Sequence, residues 1–166
     1  MFKTHAPIVK YLFEQAEECT TSNLYGAALV LSSSALEAAL YRKLLPRKPY
    51  LKRFLNICNL ENAKFEDLIE YAKRLGLLDS TSRETAHKIR KVRNCVVHLT
   101  NRNLKRLATK YPSILRGIKT RILPSGKTPP GEEEFKVELA FFALIKRISN
   151  EIVKDVESVL NVLDKR

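Results

Sequence analysis

The apolar residues of the chain recur at intervals of three and four positions, the spacing that places them on one side of an α-helix. The first such stretch covers about residues 5–21. The second covers about residues 22–45, and nearly every side of it is apolar or small. It therefore predicts a buried central helix. Pro46 and Pro49 follow at once and are expected to end it.

Three further patterns occupy the middle of the chain. Tyr50–Asn59 fits either a short helix or a loop. Phe65–Leu75 is amphipathic, and Gly76 stands where a helix C-terminal cap belongs. Thr81 and Glu84 form a capping-box pattern, which predicts that the next helix opens at Thr81. None of these stretches alternates with the two-residue period of a strand.

The C-terminal part combines a basic segment with a long helix. Residues 100–131 fit one or two short helices, around 104–110 and 113–122, followed by a loop. Four prolines interrupt this segment: Pro112, Pro124, Pro129 and Pro130. Glu132–Glu134 then place negative charge at the start of a final helix, which the helix dipole favours. The pattern predicts one all-α domain over residues 1–166, an up-and-down bundle of about five helices in which the basic segment precedes the last helix.

The composition is that of a globular protein in a reducing compartment. Apolar residues make up 45% of the 166 residues and charged residues 29%, which excludes disordered and low-complexity classes. The three cysteines, Cys19, Cys58 and Cys95, form no CxxC pair, so neither a metal site nor a disulfide framework is predicted. The N-terminal residues show no signal peptide, and the apolar runs are too short to cross a membrane. We therefore expect a cytoplasmic protein with no membrane contact.

The net charge of +12 is concentrated in the middle of the chain. Residues 1–79 hold 11 lysines and arginines against 9 acidic residues, residues 80–131 hold 13 against 1, and residues 132–166 hold 6 against 8. Such a concentration attracts polyanions, of which nucleic acid is the commonest. An acidic protein partner, or a solvated surface with no specific role, stays open as an alternative.

The helix predicted over residues 81–99 carries the candidate chemistry. At 100° per residue its apolar side holds Ile89, Val92, Val96 and Leu99. Its opposite, polar side holds His87, Lys91, Asn94 and His98. Arg90 lies at the edge of that polar side, and Arg93 lies near the border with the apolar side. The polar side therefore combines imidazole, amide and cationic groups.

These groups suit the cleavage of RNA without a metal ion. An imidazole moves protons near neutral pH, and a guanidinium holds a phosphate and stabilises charge in its transition state. An amide orients either group by hydrogen bonding. The same residues also fit a solvated basic helix with incidental histidines, and periodicity alone does not decide between the two.

The motif on this helix resembles that of the HEPN superfamily. The segment RNCVVH, from Arg93 to His98, matches the Arg-x(4–6)-His pattern, and Asn94 is the polar residue often found directly after the arginine. It follows a predicted buried SALEAAL helix and an FEDLIEYAKRLGLL helix. That order resembles the HEPN subgroup found in prokaryotic defence and restriction loci, over about residues 8–160. Thr100 stands where HEPN toxins paired with nucleotidyltransferase antitoxins carry tyrosine, so the chain is not assigned to that system.

The resemblance implies a HEPN-like bundle, a homodimer and a ribonuclease site shared between two motif helices. Carried over by position, Arg93 would bind the scissile phosphate, His98 would transfer protons, and Asn94 would support them. Glu37 matches an acidic position of the subgroup, where either an ion pair with Arg93 or Arg90 or a direct catalytic role would fit. No cofactor and no metal ion are expected.

The remaining polar residues complete the predicted site. His87, Arg90 and Lys91 would support the motif from the same side of the helix. Six cations of the following segment are predicted to bind nucleic acid: Arg102, Lys105, Arg106, Arg116, Lys119 and Arg121. That segment would close over the cleft, guide RNA or bind a partner, and these three roles stay open.

Three functions are compatible with these observations. The first is a metal-independent HEPN endoribonuclease, a toxin or defence effector whose partners would include RNA and an antitoxin or acidic protein. The second is a non-catalytic HEPN domain that binds RNA, a nucleotide or a partner protein. The third is an unrelated basic helical protein that binds DNA or RNA.

Overall fold

A computed structural model of the chain describes residues 7–55, 60–97 and 132–166. These residues form six α-helices and no strand, with a short 3-10 turn, Leu45–Arg47, before the third helix. The helices are α1, Pro7–Thr21; α2, Tyr25–Leu44; α3, Lys48–Leu55; α4, Phe65–Arg74; α5, Ser80–Val97; and α6, Glu132–Asp164. The predicted all-α bundle is confirmed. Residues 100–131, with the short helices predicted at 104–110 and 113–122, lie outside the described residues.

Helix α2 is the central element of the bundle. It packs against α1, α4, α5 and α6. Its buried apolar residues are Ala28, Leu29, Ala35, Leu36, Ala39, Leu40 and Leu44. The hydroxyls of the buried Ser32 and Ser33 donate to the Leu29 carbonyl at 3.1 and 2.7 Å, so neither polar group is left without a partner. The predicted buried central helix is therefore confirmed.

Helices α1, α4, α5 and α6 each turn an apolar side toward α2. Helices α1 and α4 contribute Val9, Phe13, Ala16, Phe65, Leu68, Ile69 and Ala72. Helices α5 and α6 contribute Ala86, Ile89, Val92, Ile148, Ile152, Val156, Val159, Leu160 and Leu163. Burial of each large aliphatic side chain contributes about 1.5–3 kcal/mol, so this shared core is the main stabilising feature of the fold.

The ends of α2 and α4 follow the proline and glycine positions. Pro46 lies in the 3-10 turn that follows Leu44, and Pro49 lies in the first turn of α3, where a missing N–H is tolerated. Of the segment predicted as a short helix or a loop, residues 50–55 are helical, and residues 56–59 lie outside the described residues. Gly76 adopts φ +70°, and Leu77 N–H donates to the Ala72 carbonyl at 2.9 Å. The predicted glycine cap of α4 is confirmed.

The N-terminus of α5 differs from the prediction. The Asp79 carboxylate accepts a hydrogen bond from the Ser82 N–H at 2.7 Å, and the helix begins at Ser80. The capping box expected at Thr81 and Glu84 was therefore wrong, and the helix starts one residue earlier. Asp79 competes successfully because its charged carboxylate also interacts with the positive end of the helix dipole.

The helices of the described part are too short or too polar to cross a membrane.

Candidate functional site

Helix α5 lies between α4 and α6 and packs its apolar side on α2. Ile89 and Val92 are fully buried, as predicted, and Val96 is half-buried against the core. Ala86 on the same side is also fully buried, and Leu99 lies outside the described residues. The polar side is left facing outward along α4. Its residues form two groups, a motif group near the end of the helix and a polar groove shared with α4.

The motif group consists of Arg93 and Asn94. Both side chains are half-buried, and Arg93 Nη1 donates to Asn94 Oδ1 at 3.3 Å. Arg93 Nε is buried, and no acceptor among the described residues lies within hydrogen-bond distance of it. A buried charged N–H without an acceptor is costly, so this guanidinium is poorly satisfied by the described part of the fold.

The other predicted catalytic and nucleic-acid-binding residues lie outside the described residues. His98 follows Val97, the last residue of α5 in the described part, and lies outside the described residues. The same holds for the six cations of the basic segment, Arg102, Lys105, Arg106, Arg116, Lys119 and Arg121. Their roles stay predictions.

The polar groove lies between α4 and α5 and has a volume of about 450 Å³. Eight charged or titratable side chains line it: Glu66, Glu70, Arg83, Glu84, His87, Lys88, Arg90 and Lys91. Three of them, His87, Arg90 and Lys91, are the supporting residues predicted from the helical spacing. The structure thus brings these three together on one surface, on the N-terminal side of Arg93.

Glu70 is the centre of the hydrogen bonds in this groove. Its Oε1 accepts from Arg83 Nη2 at 2.7 Å and from Arg83 Nε at 3.0 Å. The same oxygen lies 2.6 Å from His87 Nε2. The hydrogen bond from Arg83 is the main cause that lowers the pKa of Glu70; burial opposes this shift and the contact with His87 adds to it. Glu70 therefore holds both the guanidinium and the imidazole in place.

Arg90 is held by a second carboxylate of α4. Its Nη1 forms a 3.0 Å ion pair with Glu66 Oε2, while its Nε is buried and has no acceptor among the described residues. Lys91 is exposed at the same groove. Because Glu66 and Glu70 are four residues apart, they lie on one side of α4 and face α5 together.

Glu37 does not make the contact expected of it. It is half-buried on α2, and no ion pair joins it to Arg90 or Arg93 within the described part of the chain. The expectation of such a pair was wrong, because Arg90 is directed toward α4 and uses Glu66 instead. A catalytic role for Glu37 stays a prediction.

Lys88 lines the groove and also connects α5 to α6. Its ammonium donates to Asp155 Oδ2 at 2.8 Å and also to Glu151. Burial by itself would lower the pKa of Lys88, but the two carboxylates raise it above the ordinary lysine value. This ion pair fixes how the polar side of α5 is presented.

Glu66, Glu70 and Arg83 are residues of the groove that the sequence did not predict. The available signal was the four-residue spacing of the two glutamates on an amphipathic helix, opposite a basic helix that follows after a short turn. Short connections favour antiparallel neighbours, which is the arrangement that the Glu66–Arg90 and Glu70–Arg83 pairs reflect.

The remaining chemistry of the described residues is limited. Cys95 is a free, half-buried thiol that packs against the core. No cluster of three or more histidine, cysteine, aspartate or glutamate side chains in residues 7–55, 60–97 and 132–166 is arranged to hold a metal ion. In comparisons with known proteins, no protein-family model, no curated protein and no solved structure matches the chain.

Proposed function

We propose that the chain is a metal-independent endoribonuclease of the HEPN type, a homodimer in which Arg93, Asn94 and His98 are the catalytic residues. One observation carries the proposal: the side chains of Arg93 and Asn94 are hydrogen-bonded to each other at the end of α5. His98 follows five positions after the arginine. The motif residues within the described part therefore interact directly, on a helix that leads into the most basic segment of the chain.

The environment of Arg93 supports a role in binding phosphate. The only hydrogen bond of its side chain among the described residues is the 3.3 Å bond to Asn94, which is long for a charged donor. Within the described part of the chain, the guanidinium therefore has further donors that no acceptor uses. Phosphate oxygens are among the strongest acceptors for a guanidinium, and two parallel bonds would hold the scissile group in a fixed orientation.

The reaction that these residues suit is attack by the neighbouring 2′-hydroxyl. A base removes its proton, the 2′-oxygen bonds to phosphorus, the bond to the 5′-oxygen breaks, and an acid protonates that leaving oxygen. The products are a 2′,3′-cyclic phosphate and a 5′-hydroxyl end. In the proposed mechanism His98 transfers protons, Arg93 stabilises the charge of the pentacovalent transition state, and Asn94 orients its neighbours.

The spacing of the motif is the reason for proposing a dimer. Arg93 and His98 are about 140° apart around a helix that turns 100° per residue. A single helix presents two such side chains to one phosphate poorly. Two antiparallel copies of α5 would pair the arginine of one protomer with the histidine of the other, which gives two equivalent sites related by a two-fold axis.

A second candidate is a non-catalytic HEPN domain that binds RNA, a nucleotide or a partner protein. The observation in its favour is that Glu66 and Glu70 pair with Arg90, Arg83 and His87. These contacts use much of the polar side of α5 to hold α4 in place. A surface used in this way suits an assembly role as well as a catalytic one.

The deciding experiment is RNA cleavage by the purified full chain in the presence of EDTA. Wild type, Arg93→Ala, Asn94→Ala and His98→Ala would be compared on several structured and single-stranded RNAs. We expect cleavage by wild type that leaves 2′,3′-cyclic phosphate ends and that falls at least 100-fold in the arginine and histidine variants. Its pH–rate profile should be governed by a group that titrates near neutrality.

Matched controls separate the motif from its surroundings. Arg147→Ala removes an exposed arginine of α6, and His5→Ala removes a histidine far from the motif in sequence; both should cleave like wild type. RNA binding without cleavage by wild type would overturn the nuclease and favour the non-catalytic domain. Cleavage that survives both Arg93→Ala and His98→Ala would show that the assigned residues are wrong.

A further inference from the structure

A second basic surface lies at the other end of α4 from the Glu66–Arg90 pair. It is a groove of about 490 Å³ lined by Pro46, Arg47, Pro49, Tyr50, Arg74 and Leu75. No acidic side chain is among them. The lining instead combines one aromatic ring, two guanidinium groups and the flat, apolar faces of two prolines.

The chain around this groove is also strongly basic. Residues 42–53 contain six cations and no acidic residue: Arg42, Lys43, Arg47, Lys48, Lys52 and Arg53. Lys48 is paired with Glu61, and the Arg47 guanidinium donates to the Lys43 carbonyl at 2.7 Å, which satisfies the end of α2. Arg42, Lys52 and Arg74 are exposed. The groove therefore lies in a positively charged region, although the net charge of residues 1–79 as a whole is small.

Tyr50 is the feature that distinguishes this groove from a merely solvated basic surface. Half of its side chain is exposed, 50%, although the neighbouring Leu51 is fully buried. The ring is thus held at the surface by a helix that is anchored in the core on its other side. An exposed ring on a helix, flanked by arginines, is the arrangement on which a nucleic-acid base stacks while cations contact the flanking phosphates.

We propose that the Tyr50 groove is a second RNA-binding surface, which takes single-stranded RNA by stacking one base on Tyr50 and contacting its phosphates through Arg47 and Arg74. The choice of RNA as ligand rests on the proposed function, but the surface requires no cleavage to be tested. None of the residues lining this groove belongs to α5, and none lines the polar groove beside the motif, so the two grooves are separate surfaces.

A non-cleavable ligand tests this proposal directly. The probe is a short, fluorescently labelled 2′-O-methyl oligouridine, whose blocked 2′-oxygen cannot attack its phosphate. We expect Tyr50→Ala to weaken its binding to the full chain about 5- to 100-fold, and Tyr50→Phe to retain most of the affinity. Arg74→Gln should lower the slope of the logarithm of the binding constant against the logarithm of salt concentration by about 0.7.

Two substitutions serve as matched controls. Tyr11→Ala removes another exposed tyrosine, from α1, and Arg147→Gln removes an exposed arginine of α6; both should bind like wild type. Equal losses in Tyr50→Ala and Tyr11→Ala would overturn the proposal. So would displacement of the probe by polyglutamate as effectively as by unlabelled RNA, which is the result expected if the groove takes an acidic protein segment instead.

The outcome is independent of catalysis. A thermal melt of each variant shows whether Tyr50→Ala is still folded, and Tyr50→Phe keeps the ring if it is not. Loss of probe binding in Tyr50→Ala with no cleavage by wild type would support the groove and refute the nuclease. Cleavage by wild type with unchanged probe binding in Tyr50→Ala would support the nuclease and refute the groove.

Discussion

Single side chains of α4 determine how the polar side of α5 is arranged. Glu70 holds Arg83 and His87, and Glu66 holds Arg90, so these α5 groups are fixed before any ligand binds. Fixed groups lose less rotamer freedom when they bind a ligand, which favours recognition of a rigid anion. The arrangement also means that the imidazole of His87 has a carboxylate neighbour, whereas Arg93 has an amide neighbour.

Replacement of Glu70 tests whether this network stabilises the fold. We expect Glu70→Gln to lower the free energy of unfolding by about 0.5–1 kcal/mol near neutral pH, because the pair is partly exposed and solvent screens it. The hydrogen bond from Arg83 lowers the pKa of Glu70, so its stabilising effect is present above the ordinary glutamate pKa of about 4.3. It is lost as the pH falls through the lower pKa of the folded protein. Urea unfolding at several pH values measures both effects.

Glu14→Gln is the control for that experiment. Glu14 forms an ion pair with Lys10 at 3.6 Å in which both side chains are about half exposed, so its loss should have a smaller effect. A difference between wild type and Glu70→Gln that stays constant from neutral to strongly acidic pH would contradict the assigned role of the carboxylate.

The sequence predicts these residues only in part. The spacing of apolar and polar residues places His87, Lys91 and Asn94 on one side of α5, because that depends on local geometry alone. The partner of Arg90 could not be predicted in the same way. An ion pair between two helices depends on how far the helices are shifted along each other. Without that shift, the sequence gives no reason to choose Glu66 over Glu37 as the partner of Arg90.

At the scale of the helices, the sequence predicts a helix end correctly where only one nearby residue is suited to terminate the helix. Gly76 is the only residue near the end of α4 that adopts the left-handed backbone easily, and the predicted cap is found there. The start of α5 offers four consecutive residues that can cap a helix, Asp79, Ser80, Thr81 and Ser82. The capping-box pattern pointed to Thr81 because it depends only on the spacing between Thr81 and Glu84. It takes no account of the negative charge of Asp79, which favours that residue as the cap.

The assignment of the α5 cap leads to a stability prediction. Asp79→Ala should reduce the free energy of unfolding by about 0.5–2 kcal/mol, since it removes the acceptor of the Ser82 N–H and a negative charge at the helix start. Thr81→Ala, in the same turn and exposed, should change it by less than about 0.5 kcal/mol. Chemical denaturation of the two variants measures the difference. A larger loss of unfolding free energy in Thr81→Ala than in Asp79→Ala would contradict this assignment and favour Thr81 as the cap.

At the scale of the whole molecule, the core and the polar contacts hold α5 from both sides. Its apolar residues pack on α2, its groove residues contact α4, and Lys88 contacts Asp155 and Glu151 of α6. The sequence predicts a bundle because one helix is apolar on nearly every side and the others have an apolar side to pack on it, but it does not predict which of the outer helices are neighbours. Such contacts join residues that are distant in the chain, and amphipathic periodicity contains no information about them.

The proposed shared site makes a prediction that no single variant tests. If each site takes Arg93 from one protomer and His98 from the other, a mixed dimer of Arg93→Ala and His98→Ala contains one intact site and one doubly damaged site. Random exchange makes half of the dimers mixed, so equal mixing of two inactive variants should restore about a quarter of the wild-type cleavage rate.

Arg93→Ala mixed with the double variant Arg93→Ala/His98→Ala is the control and should recover nothing, because no combination of its chains supplies the arginine. Native mass spectrometry would establish that mixed dimers form. Mixed dimers without recovered activity would contradict a site built across two chains, and a monomeric wild type that cleaves RNA would do so as well.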